Sequence, residues 1–361
     1  MHFNVRFPGF PFWLSLLGMA CGVVAPGEAG AADASRPRLA VLTDIGGDPD
    51  DQQSMVRLMV YANAFEIELL MATSAGIPGE LKEPVTRPDL IREIVAGYAA
   101  VQADLVANSG EAGWPEAATL QAAVRTGNAR RGRDAIGEGH DTDGSRRLIE
   151  LIDAGTAARP LHISIWGGQT DLAQALWRVK HTRSEAAWAE FADRLRVYDI
   201  GDQDGLADWM RATFPGLHYV LSRPPADRDR RDATFRGMYL TGDPATTSLA
   251  WVERHVLVAG KLGTLYPVET WTEPNPHGCI KEGDTPSWFF FLPRGGNDPA
   301  NPAQPGWGGR YRRLADGWWT DLEFDAAAGF DPRETVSRWR EEFQADFARR
   351  LAWIHGERRD T

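Results

Sequence analysis

Apolar positions recur along the chain in two alternating rhythms. Leu39 to Thr43 is a short apolar run closed by the turn-forming Asp44-Ile45-Gly46-Gly47, which predicts a buried strand. Met55, Leu58, Met59 and Ala62 then return at helical spacing, and Phe65 to Thr73 reads again as a strand. Strand, helix and strand joined by tight connections are the unit of a parallel sheet. The same rhythm predicts helices over about 88–108 and 145–154, a strand over 161–166 and a helix over 172–179. Strands over 195–200 and 217–221 follow, with a helix over 206–213 between them. Residues 109–142, rich in Gly, Ala and Arg, read in part as loop, and the dense alternation of charge over 223–232 reads as a solvated loop. From Trp251 onward the chain holds eight of its 14 tryptophans among many Gly and Pro, which predicts an irregular aromatic region closed by a helix over about 332–354. This order predicts an α/β fold with an open, mostly parallel sheet and helices on both faces. Ligands of such sheets sit beyond the carboxyl ends of the strands.

The N-terminus breaks the rhythm. Arg6, the apolar run Phe7 to Val24 and the small-residue stretch Ala29-Gly30-Ala31 form the pattern of a secretory signal peptide, so residues 1–31 are expected to be removed. The run is interrupted by Gly and Pro, whereas a membrane span needs ~20 apolar residues, so no stable span is expected. Export to the periplasm or the cell exterior follows. No linker or repeat divides residues 32–361, which predicts a single domain. With 43% hydrophobic and 25% charged residues the composition is that of a globular protein, which excludes a disordered chain. A net charge of −11 with no basic stripe excludes nucleic acid as a partner. Cys279 stands alone once Cys21 is removed, so no internal disulfide is expected and the thiol reads as a small hydrophobe.

Chemistry concentrates where the first strand meets the first helix. Asp44, Asp48, Asp50 and Asp51 place four carboxylates in eight residues. Crowded like charges raise one another's pKa unless a proton or a cation relieves them. Oxygen-only ligands, with no His or Cys nearby, favour a hard cation. An acidic first helical turn accounts for Asp50 and Asp51 without any metal, because the helix dipole welcomes negative charge there.

The run TDIGGDPDDQQSMVRLMVYANAFEIELLMAT resembles the N-terminal signature of the nucleoside hydrolase-like proteins once filed under a domain of unknown function. Some of those are described as cellulose-binding, and they are related to inosine–uridine-preferring nucleoside hydrolases. Three later stretches agree: Trp166 to Leu176 (WGGQTDLAQAL), Tyr198 to Asp204 (YDIGDQD) and Lys281 to Ser287 (KEGDTPS). The resemblance runs over about 38–312 and implies a calcium ion held by Asp44, Asp51 and Asp284 with the backbone carbonyl of Trp166. It further implies Asp44 as the base that takes a proton from water, and Asp50 as a grip on sugar hydroxyls. Two extra residues separate Asp44 from Asp50 by comparison with true nucleoside hydrolases, so Asp48 competes for a ligand role. Gly283 stands where many relatives carry a leaving-group histidine, which counts against nucleosides as substrates more than against a sugar-like ligand.

Asp202 and Asp204 fall where the hydrolases contact ribose; turn chemistry also explains both, and Asp202 is the preferred substrate residue. His140, in a polar loop before a helix, is a further substrate-binding candidate, against the ordinary reading of a solvated histidine. His277 in a Pro-rich loop could approach Asp284. Trp307, in WGGRY, either stacks a sugar ring or covers the sheet as a packed aromatic. The expectation is a secreted calcium-dependent hydrolase of nucleoside hydrolase-like type, cleaving an N-riboside or a related small glycoside. The alternatives are a non-catalytic carbohydrate-binding protein using the same pocket or the Trp-rich face, and a cell-envelope protein with a vestigial site. A sugar-containing small molecule is the expected partner, and oligomerisation is left open.

Overall fold

The computed structural model describes residues 36–75, 84–269 and 278–356, with the isolated positions Met1 and Gly9. The expected signal segment 1–31, apart from those two positions, and His277 lie outside the described residues.

Eight strands form one sheet: β1 Arg38–Thr43, β2 Glu66–Ala72, β3 Val124–Thr126, β4 Leu161–Ile165, β5 Leu195–Ile200, β6 Tyr219–Ser222, β7 Tyr311–Arg313 and β8 Trp319–Asp321. Their order is β3-β2-β1-β4-β5-β6-β8-β7, and every pairing is parallel except the edge pair β7–β8. Residues of β1 alternate between two cores. Leu39 and Val41 pack on one face with helices Asp50–Met59, Pro88–Ala99 and Arg340–Ala352. Ala40 and Leu42 pack on the other with helices Asp143–Asp153, Gln169–Thr182 and Glu185–Ala192. A strand buried on both faces reads as a continuous apolar run rather than an alternating one, which is why RLAVLT carries so little polarity. The expected α/β architecture is therefore the one observed.

The chain leaves β1 for β2 and β3 on one side and later fills β4, β5 and β6 on the other. That reversal beside β1 is a topological switch point, where the connections diverge and open a crevice at the carboxyl ends. Several expected elements differ in detail. The helix expected over 88–108 is two, Pro88–Ala99 and Gln102–Ser109, with a turn at Ala100 and Val101 that puts the Val101 side chain into the core. The closing helix is Arg340–Ala352, preceded by the separate short turn Glu334–Ser337. Helices Ala117–Ala123 and Glu185–Ala192 and the hairpin β7–β8 are additions to the expected elements, in stretches that carry no strong apolar periodicity. Among the described residues no helix is long and apolar enough to cross a membrane.

Candidate active site

A cavity of about 530 Å³ opens at the switch point, within the range of small-molecule sites. Its lining comes from the carboxyl ends of five strands: Asp44 to Asp51 after β1, Arg131 after β3, Trp166 after β4, Gly201 and Gln203 after β5, and Arg223 onward after β6. Asp284 and Lys281 enter from a distant turn.

Helix Asp50–Met59 brings that turn in. Gln53 and Arg57, four residues apart, share one face of the helix. The Gln53 carboxamide accepts from the Lys281 N–H at 2.7 Å and donates to the Cys279 carbonyl at 3.0 Å. Arg57 forms a two-point ion pair with Glu282, one contact at 3.0 Å, and both side chains are fully buried. Tyr266 and Thr285 hydroxyls donate to the same carboxylate at 2.6 and 2.9 Å. Asp284 is thereby carried to the first turn of the helix. Carboxyl oxygens of Asp50, Asp51 and Asp284 lie within 4.8 Å of one another, the one such group of three among the described residues.

Burial and mutual repulsion dominate the electrostatics. Burial raises Asp50 to about 7, with Asp44 adding to the effect. Asp51 and Asp284 are pushed well above the usual carboxylate range by burial, then by their acidic neighbours. Thr43 donates its hydroxyl to Asp51 while accepting the Ile45 N–H at 3.1 Å. One oxygen of Asp284, Oδ2, is buried with no hydrogen-bond partner. An orphaned carboxyl oxygen among two other carboxyl groups fits a hard cation.

Asp44 borders this group and, hydrogen-bonded to Asp51, adds to the rise of the Asp51 pKa. Its Oδ2 pairs with Arg131 Nη2 at 2.5 Å, and the guanidinium is fixed in turn by the Ser74 carbonyl and by Asp204, 3.9 Å from Nε. Burial still raises the Asp44 pKa despite the arginine. Of the expected carboxylate ligands, Asp51 and Asp284 fall in this group together with Asp50, and Asp44 lies against Asp51. Arg131 comes from the Gly-, Ala- and Arg-rich stretch 109–142. Gly167 makes room for Asp44, since a Cβ there would fall 2.5 Å from its carboxyl carbon. Gly168, with φ +83°, brings the backbone onto Thr73 in a conformation that glycine tolerates. Trp166 lines the cavity, and its carbonyl accepts a hydrogen bond from Gln203. Lys281 pairs with Asp48 and is lowered to about 8 by burial, against the pull of Asp284. A Cβ added at Gly283 would lie 3.5 Å from Asp50 Oδ2.

Three expected substrate residues lie elsewhere. Trp307 is buried against Phe289 and Phe343, at centroid distances of 5.3 and 6.1 Å, so its ring covers the core and offers no sugar platform. His140 is held in its own loop, its N–H donating to the Gly137 carbonyl at 3.3 Å, and does not line the cavity. Asp202, at φ +54°, accepts the Ala207 N–H at 2.9 Å and pairs with Arg223 at 2.5 Å; it supports the rim from behind. Asp204, passed over in favour of Asp202, is buried against Thr170 and Arg131. Residues 223–232, read as a solvated loop, line the mouth with Arg223, Arg228 and Arg230. One signal could have found them and Arg131: both stretches follow carboxyl ends of predicted or short strands.

The family described as "Cellulose-binding Sde182, nucleoside hydrolase-like domain" matches residues 38–311. Among solved structures, a nucleoside hydrolase-related hypothetical protein from Saccharophagus degradans, associated with carbohydrate metabolism, is 27% identical. The likeness covers 88% of this chain and 72% of that one with a TM-score of 0.69. No curated protein matches the chain.

Proposed function

The chain belongs to the family of cellulose-binding, nucleoside hydrolase-like domains, and on that premise we propose that its pocket takes the sugar end of a small glycoside and hydrolyses the bond at the anomeric carbon. An N-glycosidic bond of a riboside, or a near equivalent, is the target. The observation that carries this reading is the gathering of half-buried Asp50 and buried Asp51 and Asp284 within 4.8 Å of one another at the switch point, with Asp44 beside them. Merely gripping a neutral sugar does not require so many desolvated carboxyl groups, whereas cleavage passes through an oxocarbenium-like state whose positive charge they stabilise.

Each residue then has a task. Asp44, held at one oxygen by Arg131, has its other oxygen to accept a proton from the attacking water, and its raised pKa suits it to hold that proton. Asp50, on the cavity side of the cluster, accepts from sugar hydroxyls. Asp50, Asp51 and Asp284 would hold a hard divalent cation, calcium above all, with the Trp166 carbonyl shared between that role and Gln203. Such an ion supplies charge neutralisation and activation of water. Gly283 offers no acid to the departing group, so good leaving groups are favoured over purines and pyrimidines. That same glycine favours the second reading, carbohydrate binding without turnover. Both readings suit a protein that meets its sugar ligand in the periplasm or outside the cell.

The test is release of reducing sugar from nucleosides and small glycosides, with calcium or with chelator, alongside melting curves. Turnover that chelator abolishes and Asp44→Asn lowers by about 10²-fold or more supports hydrolysis. Saturable sugar binding with no turnover replaces it by the second reading. Asp51→Asn is expected to erase the rise in melting temperature that calcium gives the wild type.

A further inference from the structure

The proposed function leaves the charge of the ligand open, and the two ends of the cavity answer that question differently. The floor is buried and holds more acid than base: Asp44, Asp48, Asp51 and Asp284 against Arg131 and Lys281, which pair with the first two. The mouth is basic. In a chain whose acids outnumber its bases 50 to 39, residues 223–236 carry five arginines against three aspartates. Four of those arginines, Arg223, Arg228, Arg230 and Arg236, line the cavity. The acid on the same rim is Asp208, whose side chain is 90% exposed.

Three of these guanidinium groups, those of Arg223, Arg228 and Arg236, are oriented rather than loose. Arg223 gives Nη1 to Asp202 at 2.5 Å, and Arg228 gives Nη2 to Asp232 at 3.0 Å. Arg228 also lies over the Phe324 ring, 4.0 Å from its centre, and Arg236 stands over Phe235 at 5.0 Å. A guanidinium carries five N–H donors, so one carboxylate contact does not exhaust it. An arginine fixed by an aromatic face and one acid loses little entropy when it takes a second oxyanion, which is how planar cations come to recognise carboxylate and phosphate. Arg223 and Arg228 keep 37% and 41% of their side-chain surface exposed, so an arriving ligand can reach them.

A floor that repels anions below a rim that attracts them orients a dipolar ligand. Resting on the sugar-site reading above, we infer that the pocket takes an anionic glycoside or sugar, its neutral hydroxylated ring directed to the acidic floor and its carboxylate or phosphate group held at the mouth by Arg223, Arg228 and Arg230. A neutral cellulose fragment would leave this rim unused. A free anion would find no ring contacts, and an inverted ligand would set its charge against Asp51 and Asp284.

Matched pairs test this on the full chain by calorimetry: glucuronate against glucose for the carboxylate, and ribose 5-phosphate against ribose for the phosphate. The anionic member of at least one pair is expected to bind about tenfold or more tighter, about 1.4 kcal/mol. The double variant Arg228→Gln/Arg230→Gln is expected to bring that ratio below about threefold. Raising salt from about 20 to about 300 mM is expected to erode the ratio in the wild type too, a readout independent of any variant. Equal affinity for charged and neutral members overturns the inference while leaving the sugar site standing, as does a preference that survives both the double variant and salt. Failure of all four sugars to bind removes the inference and the reading beneath it.

Discussion

Removing Arg57 tests how the site is assembled. In Arg57→Met the side-chain length is roughly kept and the charge is lost. Glu282, fully buried, would then keep only the Tyr266 and Thr285 hydroxyls at 2.6 and 2.9 Å. Leaving one member of a buried ion pair uncompensated costs about 3–5 kcal/mol. Arg57 also donates to Gln344 at 2.7 Å and lies 3.8 Å from the centre of the Phe347 ring, so the upper part of that range is expected. Urea unfolding followed by tryptophan fluorescence measures it, as a fall in midpoint at unchanged m-value. Adding Glu282→Leu removes the stranded charge, so the double variant should fall short of the sum of the singles by about 2 kcal/mol. The functional arm is calcium-dependent melting. Since Arg57 anchors the turn that delivers Asp284, the calcium response should shrink in Arg57→Met at temperatures where the variant is still folded. A loss below about 1 kcal/mol, or strict additivity of the two substitutions, would refute the idea that this pair fastens the turn.

Asp171 and Asp321, both buried, are each raised from 3.8 to about 7, first by burial. The folded protein therefore holds protons there that the unfolded chain has released, so their contribution to stability is complete below about pH 4 and is lost as pH rises towards 7. Melting temperature measured from pH 4 to 8 should show Asp171→Asn with a shallower decline than the wild type, and an unchanged slope would contradict the assignment. Trp307→Ala should cost about 3–5 kcal/mol in urea unfolding as a buried aromatic deletion, with sugar affinity of the folded protein preserved. A variant of wild-type stability that loses sugar binding would return Trp307 to the surface role first considered for it.

Most of the frame was legible because a doubly wound sheet writes itself into sequence as short apolar strands separated by helical spacing. RLAVLT, LHISI and LRVYDI carry that signal, and so does the helix that begins at Asp50. The acidic floor was legible for the same reason, since Asp50 and Asp51 sit one turn beyond a strand end. Asp284 was placed by resemblance alone, and nothing local to it reveals the Arg57–Glu282 pair that brings it in. What could not be read depends on contacts between segments far apart in the chain. Arg131 reaches Asp44 across 87 residues, and Arg228 is oriented by Phe324 across a comparable interval. Trp307 shows the limit of composition: an exposed platform and a buried cover have the same sequence, and only its packing on Phe289 and Phe343 separates them.

The placement of basic groups around the floor bears on why such a cluster can exist in a folded protein. A desolvated carboxylate is expensive, and each of Asp44, Asp51 and Asp284 has its pKa raised by burial. Arg131 and Lys281 offset part of that cost, Arg131 pairing with Asp44 and Asp204 and Lys281 pairing with Asp48 while drawing Asp284 down, yet burial and the acidic neighbours still leave Asp51 and Asp284 well above the usual range. The residual repulsion is therefore concentrated at the three carboxyl groups that could share a cation. A fold selected only for stability would put an apolar residue or a further arginine between them. Keeping the repulsion, and clamping its most distant member in place through a fully buried ion pair formed two residues before it, makes sense if the cluster is relieved by something that arrives from solution.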